Sequence, residues 1–95
     1  MGKFTVRVEL HQADYSDYVE LHKFMEEVGY KRVIQGDSGR WFELPPAEYY
    51  GEGNVTAEGA LEYAKRAAER TGRTFGVLVT EGETRAWWNL PVVKV

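Results

Sequence analysis

Residues 4–10 alternate apolar and polar side chains without interruption, which is the pattern of a β-strand with one buried face. The apolar set is Phe4, Val6, Val8 and Leu10, and the polar set is Thr5, Arg7 and Glu9. One face of this strand must be covered by another layer of the fold, and the opposite face stays open unless a partner covers it.

Two amphipathic helices are predicted to supply the covering layer. The first spans residues 14–28, with Asp14 as its N-cap and Gly29 directly after its end. The second spans residues 56–71 and begins at Thr56, a second capping residue. The inner stripe of this second helix is rich in alanine, so its backbone can lie close to a sheet.

The other segments read as strands, turns and a tail. They are strands at 30–35 and 40–44 joined by a turn at 36–39, a Gly- and Tyr-rich connection at 46–55, a strand at 74–81 and a tail at 82–95. The order is strand, helix, hairpin, helix, strand and tail. This order predicts a single α+β domain over residues 1–95, a ferredoxin-like β-α-β-β-α-β sandwich in which two helices cross one face of a four-stranded antiparallel sheet.

Length and composition exclude several classes of function. A chain of 95 residues forms one small domain, so a site is expected in a groove, on a sheet face or at an interface. The sequence has no cysteine, which fits a reducing cytoplasm and rules out a thiolate metal site. The net charge of −3 argues against a nucleic-acid coating role and predicts weak RNA binding at physiological salt. No apolar stretch is long enough to predict a membrane span.

Large aromatic side chains are expected on surfaces that meet a partner. The third predicted strand exposes either Trp41 and Glu43 or Phe42 and Leu44, and the sequence leaves both registers open. Long ordered loops are often functional, and two tyrosines lie in the connection at 46–55. The predicted binding or interface residues are Trp41, Tyr49, Tyr50, Trp87 and Trp88.

Glu9, His11 and Asp14 follow one another where the first strand ends. A histidine in such a cluster can act as general base for attack by a ribose 2′-hydroxyl, because its pKa lies near neutrality. The other interpretation is an ordinary polar strand end. Two histidines without a third spaced ligand do not form a zinc motif, so we expect neither a metal nor another cofactor.

Three segments resemble the GhoS-like antitoxins of type V toxin–antitoxin systems. They are the first strand through His11, the segment 44–49 (Leu-Pro-Pro-Ala-Glu-Tyr), and the strand 77–82 with a tryptophan after it. The resemblance implies a ferredoxin-like fold similar to the small CRISPR adaptation nucleases, and an endoribonuclease that cleaves a toxin messenger RNA. Those nucleases carry a metal-binding Asp at the end of the first strand, where this chain has Glu9, Leu10 and His11. The predicted catalytic residues are therefore Arg7, Glu9 and His11, without a metal.

The alternative function is a non-catalytic protein-binding module that regulates or inhibits a host protein; one version of this alternative is a protein encoded by a phage or mobile element. In either case a homodimer is expected. The tail at 82–95 carries two tryptophans and several aliphatic residues, which is much apolar surface for so small a domain. The residues around Pro91 alternate like an edge strand, so a second copy is predicted to pair with this tail.

Overall fold

The computed structural model of the protein describes residues 2–93. The elements in chain order are β1 (Gly2–Leu10), α1 (Tyr15–Glu27), β2 (Val33–Gln35), β3 (Trp41–Glu43), β4 (Glu48–Gly53), α2 (Ala57–Glu69) and β5 (Phe75–Glu81). Strands β4, β1 and β5 form an antiparallel sheet with β1 in the centre, and β2 and β3 form a separate two-stranded hairpin. This confirms the α+β class. No helix in the described range is long and apolar enough to cross a membrane.

The alternating pattern of β1 sorts the two faces of the sheet as predicted. The apolar residues of β1 are buried under α1 and α2, together with Leu21 and Met25 of α1 and four alanines of α2. Directly opposed residues of antiparallel strands share a face, so Tyr49 and Val79 lie beside Val6 on the helix side. Thr5, Arg7 and Glu9 lie on the other side, which is called the open face below.

Both helices begin at the predicted caps. The Asp14 carboxylate accepts a hydrogen bond from the backbone N–H of Asp17, and the Asp17 carboxylate accepts one from the backbone N–H of Asp14, which completes a capping box. Thr56 Oγ1 accepts a hydrogen bond of 3.1 Å from the N–H of Gly59. These bonds satisfy amide groups that have no partner within the helix.

The interpretation of residues 46–55 as an irregular connection is wrong, because β4 lies within that range and pairs with β1 along six residue pairs. Glycine is rare in strands, so the two glycines of this segment made it resemble a loop in the sequence. Gly51 is needed here because a Cβ atom at this position would overlap the ring of Tyr30, which lies against the strand. Gly51 therefore marks close packing and not a loop.

The prediction of which strands form the main sheet is also wrong. The strand beside β1 is β4, and the hairpin formed by β2 and β3 is a separate sheet. Just before the hairpin, Lys31 lies beside Tyr50 of β4, and their backbones exchange two hydrogen bonds of 2.8 Å. The reason is the segment between β3 and β4, which turns the chain out of the hairpin and brings β4 back alongside β1.

Arg32 fixes this turn. Its guanidinium donates to the carbonyl oxygens of Leu44 at 2.8 Å, Pro45 at 2.7 Å and Glu48 at 2.5 Å. Ala47 within the turn has a φ of +70°, and its carbonyl accepts a hydrogen bond from the N–H of Val8. A side chain with five fixed donors can satisfy several turn carbonyls at once, so Arg32 holds the start of β4 in place.

The tail folds back on the same chain. Glu43 N–H donates to the Pro91 carbonyl at 2.8 Å, and Val93 N–H donates to the Trp41 carbonyl at 2.9 Å. The Trp87 ring packs against Phe42 with ring centroids 5.5 Å apart. The predicted edge strand around Pro91 thus pairs with β3 in cis. Residue 1 of the predicted domain and residues 94 and 95 of the predicted extension lie outside the described residues.

Candidate functional sites on the open face

The open face is organised by the register of its three strands. Arg7 lies between Glu48 of β4 and Leu78 of β5. Arg7 Nη1 is 3.6 Å from Glu48 Oε2, and the Arg7 side chain is more than half exposed. The predicted catalytic residue Arg7 is therefore accessible, although one carboxylate already contacts it.

Glu9 and His11 come together at one end of this face, as predicted. His11 Nε2 is 3.6 Å from Glu9 Oε1, and His11 Nδ1 is 3.3 Å from the hydroxyl of Thr74. The backbone N–H of His11 also donates to the Thr74 carbonyl at 2.8 Å. We call Glu9, His11 and Thr74 the strand-end cluster.

The strand-end cluster is open to solvent on the side away from the core. The side chains of His11 and Glu9 are 49% and 70% exposed. Gly76 lies opposite Glu9 in β5, and a Cβ built there would meet nothing within 4 Å. A flat, unobstructed surface therefore lies beside the imidazole, and a polymer can approach it without entering a pocket.

Two of the residues considered with this cluster lie elsewhere. Arg7 and His11 are four residues apart, which is about 13 Å along an extended strand. Arg7 therefore cannot contact the same phosphate as His11. Asp14 caps α1 and bonds to Ser16 and Asp17, and these hydrogen bonds lower the pKa of its carboxyl. The structure brings Glu9 and His11 together, whereas Arg7 contacts Glu48 and Asp14 caps α1.

A second candidate site lies at the other end of the open face. A cleft of about 760 Å³ separates the tail from β4 and the hairpin, and we call it the tail cleft. Its main lining side chains are Lys3, Lys31, Trp41, Tyr50, Arg85 and Trp87. Three of the five predicted binding residues thus surround one cavity.

Arg85 closes one wall of the tail cleft, and sequence reasoning missed it. Its Nε donates to Thr5 Oγ1 at 2.5 Å, and its Nη1 donates to the Gly82 carbonyl at 2.9 Å. Its guanidinium carbon lies 4.8 Å from the centroid of the Tyr50 ring. These contacts hold the start of the tail over the sheet, and Thr5 lies 80 residues away in sequence, so no local pattern could have predicted them.

The tail cleft carries mixed charge. Lys3 Nζ is 3.7 Å from Glu83 Oε2, and carboxylates of Asp37 and Glu52 also line the walls. Burial, with a smaller contribution from Glu52, raises the pKa of the Tyr50 hydroxyl. Aromatic walls with both donors and acceptors suit a flat heterocycle or an aromatic side chain better than a bare phosphate.

The remaining two predicted binding residues have opposite environments. Trp88 is 86% exposed, next to the cleft-lining Trp87. Tyr49 is fully buried, so its ring is not part of any contact surface. In a strand, adjacent residues face opposite sides, and of the tyrosine pair only Tyr50 reaches the open face.

Tyr49 instead forms a structural pair with His22 of α1. The Tyr49 hydroxyl is 2.6 Å from His22 Nδ1. Burial raises the pKa of Tyr49, so we assign the hydroxyl as donor and Nδ1 as acceptor. Burial and the nearby Arg32 charge lower the pKa of His22. His22 is therefore a neutral core-side residue and not a second catalytic histidine.

Among residues 2–93, no group of three or more histidine or carboxylate side chains is placed to hold a metal ion. The open face presents the His11 imidazole together with arginine, lysine and aromatic side chains. Comparison with protein-family models and with curated proteins found no match for this chain.

Proposed function

We propose that the protein is a cytoplasmic endoribonuclease of the antitoxin type that cleaves a toxin messenger RNA without a metal. The observation that carries the proposal is the strand-end cluster, in which an exposed histidine contacts both a carboxylate and a hydroxyl beside a flat surface. Imidazole transfers protons near neutral pH, and RNA supplies its own nucleophile in the ribose 2′-hydroxyl.

The reaction would proceed by transfer within the RNA. His11 accepts the proton of a 2′-hydroxyl, and the resulting oxygen attacks the adjacent phosphorus. The bond from phosphorus to the 5′-oxygen breaks, and that oxygen takes a proton from the imidazolium or from solvent. Glu9 orients the ring, and Arg7 binds a neighbouring phosphate on the same face. The products are a 2′,3′-cyclic phosphate and a 5′-hydroxyl.

The topology supports the ferredoxin-like part of the proposal. In a ferredoxin-like sandwich, the first and last strands are neighbours and the strand after the hairpin turn lies on the other side of the first. Here β5 and β4 flank β1 in that way, and Lys31, just before β2, pairs with Tyr50 of β4. On this assignment β3 is an additional strand that pairs with the tail.

The test is cleavage of a pool of single-stranded transcripts by the full-length protein in the presence of EDTA. We expect His11→Ala to lose about 100-fold in rate or more, and a 2′-deoxy substitution at the cleaved position to block the reaction. Glu20→Gln, which changes an exposed carboxylate of α1, is the matched control and should cleave normally. No cleavage by the unmodified protein, or full activity in His11→Ala, would refute the proposal.

A second candidate function is a non-catalytic module that binds a host protein. The observation that favours it is the juxtaposition of the exposed Trp88 ring and the tail cleft, since tryptophans beside a cleft are typical of protein contacts. A defined protein partner whose binding is lost in Trp88→Ala and retained in His11→Ala would support this function. Binding that is equally strong in both variants would show that Trp88 is not part of the contact, which removes the observation that favours this function.

A further inference from the structure

Strand β5 forms one edge of the main sheet. It pairs with β1 on one side, and within residues 2–93 no backbone group is paired with its other side. The direction of each backbone group follows from two end contacts: Thr74 accepts from His11, and Gly82 donates to Lys3. Even-numbered residues of β5 therefore point their N–H and C=O groups toward β1. The odd-numbered residues Phe75, Val77, Val79 and Glu81 point theirs outward.

This edge lacks the features that usually prevent pairing with another chain. Exposed edges in natural proteins are commonly blocked by lysine, proline, a bulge or a covering loop. From Phe75 to Thr80, β5 has no charged residue and no proline, and its ladder with β1 is regular. Leu78 lies at the centre of the strand and is 63% exposed on the open face. A strand added to this edge would cover part of this apolar side chain.

We propose that the added strand is β5 of another copy of this chain, paired antiparallel about a two-fold axis through Leu78. In this register Val77 of one copy faces Val79 of the other, and Phe75 faces Glu81. All of these residues have outward backbone groups, so the four pairs can form about eight hydrogen bonds. The two sheets then join into one six-stranded sheet.

The side chains agree with this register. The two Leu78 residues face each other at the axis in a non-hydrogen-bonded pair, where side chains approach most closely, and cover each other on the open face. Gly76 faces Thr80, so no bulky groups collide. A register shifted by two residues would lose one of the four pairs.

This dimer differs from the tail-mediated dimer that the sequence predicts. The tail already pairs with β3 of its own chain, through Glu43 and Val93, whereas β5 offers a longer free edge. The proposal is also independent of RNA cleavage, because the side chains of the strand-end cluster do not take part in the β5 pairing. Failure of either proposal leaves the other intact.

The test measures the mass of the full-length protein by light scattering and sedimentation. Protein concentrations between about 1 and 100 μM span the dissociation constants of weak dimers. We expect a dimer that Leu78→Lys weakens by about tenfold or more, since two ammonium groups then face each other at the axis. Trp88→Lys adds the same charge on the exposed tail and is the matched control. It should leave the dimer unchanged.

Amide exchange supplies a second readout that does not depend on a substitution. The outward amides of Val77 and Val79 should be protected at high protein concentration and exchange rapidly on dilution. The amides of Leu78 and Thr80, which face β1, should be protected at both concentrations. A monomer at 100 μM would overturn the proposal. So would a dimer that Trp88→Lys dissociates and Leu78→Lys does not, because that result would place the contact on the tail.

Discussion

Replacement of Gly51 by alanine tests whether the close packing of β4 against Tyr30 requires a glycine at this position. The added Cβ would overlap the Tyr30 ring and lie 3.1 Å from the carbonyl oxygen of Gly29. Tyr30 is nearly fully buried, and its hydroxyl donates to the Ala60 carbonyl at 3.1 Å, so the ring cannot shift without weakening that bond. The glycine therefore fits a space that the aromatic ring defines from the other side.

The expected cost follows from three contributions. Overpacking of a core position costs about 1–3 kcal/mol, and a weakened hydrogen bond adds about 1 kcal/mol. Alanine is better than glycine in a strand by about 0.5–1 kcal/mol, which offsets part of this. The net loss of unfolding free energy is about 2 kcal/mol, or a melting temperature lower by roughly 10 °C for a domain of this size.

Urea unfolding followed by circular dichroism measures the change. Gly76→Ala is the matched control, because Gly76 is in the other strand beside β1 and a Cβ there meets nothing within 4 Å. It should be neutral or slightly stabilising. In a Tyr30→Ala background the cost of Gly51→Ala should disappear. A loss below about 0.5 kcal/mol, or an equal loss in both backgrounds, would refute the packing argument.

Three further predictions concern stability. Arg32→Lys keeps the positive charge but cannot reach three carbonyls, so we expect a loss of about 2–3 kcal/mol in urea unfolding; an unchanged midpoint would contradict this role. Thr56→Ala removes the cap of α2 and should cost about 1 kcal/mol, whereas Thr56→Asp should be tolerated. The folded protein lowers the pKa of His22 below its usual value of 6.5, so the unfolded chain binds the proton more readily. The free energy of unfolding should therefore rise with pH through the range just below 6.5, and His22→Asn should flatten that rise. The same pH profile in His22→Asn as in the unmodified protein would contradict this role of His22.

The strands and helices with local signals were predictable within a few residues. The alternation of β1 specified its two faces, and Asp14 and Thr56 specified the starts of both helices, because these patterns depend on neighbours in sequence. The hairpin followed from its glycine turn. Strand β4 was missed because its identity depends on Tyr30 and Arg32, which contact it from 21 and 16 residues earlier in the chain.

The candidate sites also combine features with a local sequence signal and features that depend on residues far away in the chain. Glu9 and His11 are two residues apart at one strand end, so their proximity could be predicted. Thr74 could not, because it is 63 residues from His11. The tail cleft was only partly foreseen: its aromatic residues were recognised from type alone, while Arg85 and Lys31 depend on how the tail and hairpin fold back. Tyr49 shows the opposite error, since a tyrosine pair in a strand must place one ring inside.

The central strand β1 sets the spacing of the features on the open face. Lys3 in the tail cleft and Glu9 in the strand-end cluster are six residues apart, which is about 20 Å along the strand. Leu78 lies between them, opposite Arg7, on the neighbouring strand. Substitutions at such separations usually have additive effects on stability. Loss of RNA cleavage in His11→Ala and of partner binding in Trp88→Ala can therefore be assigned separately. Leu78→Lys also places a positive charge opposite Arg7, so its effect is assigned to dimerisation by the measured mass and not by RNA cleavage.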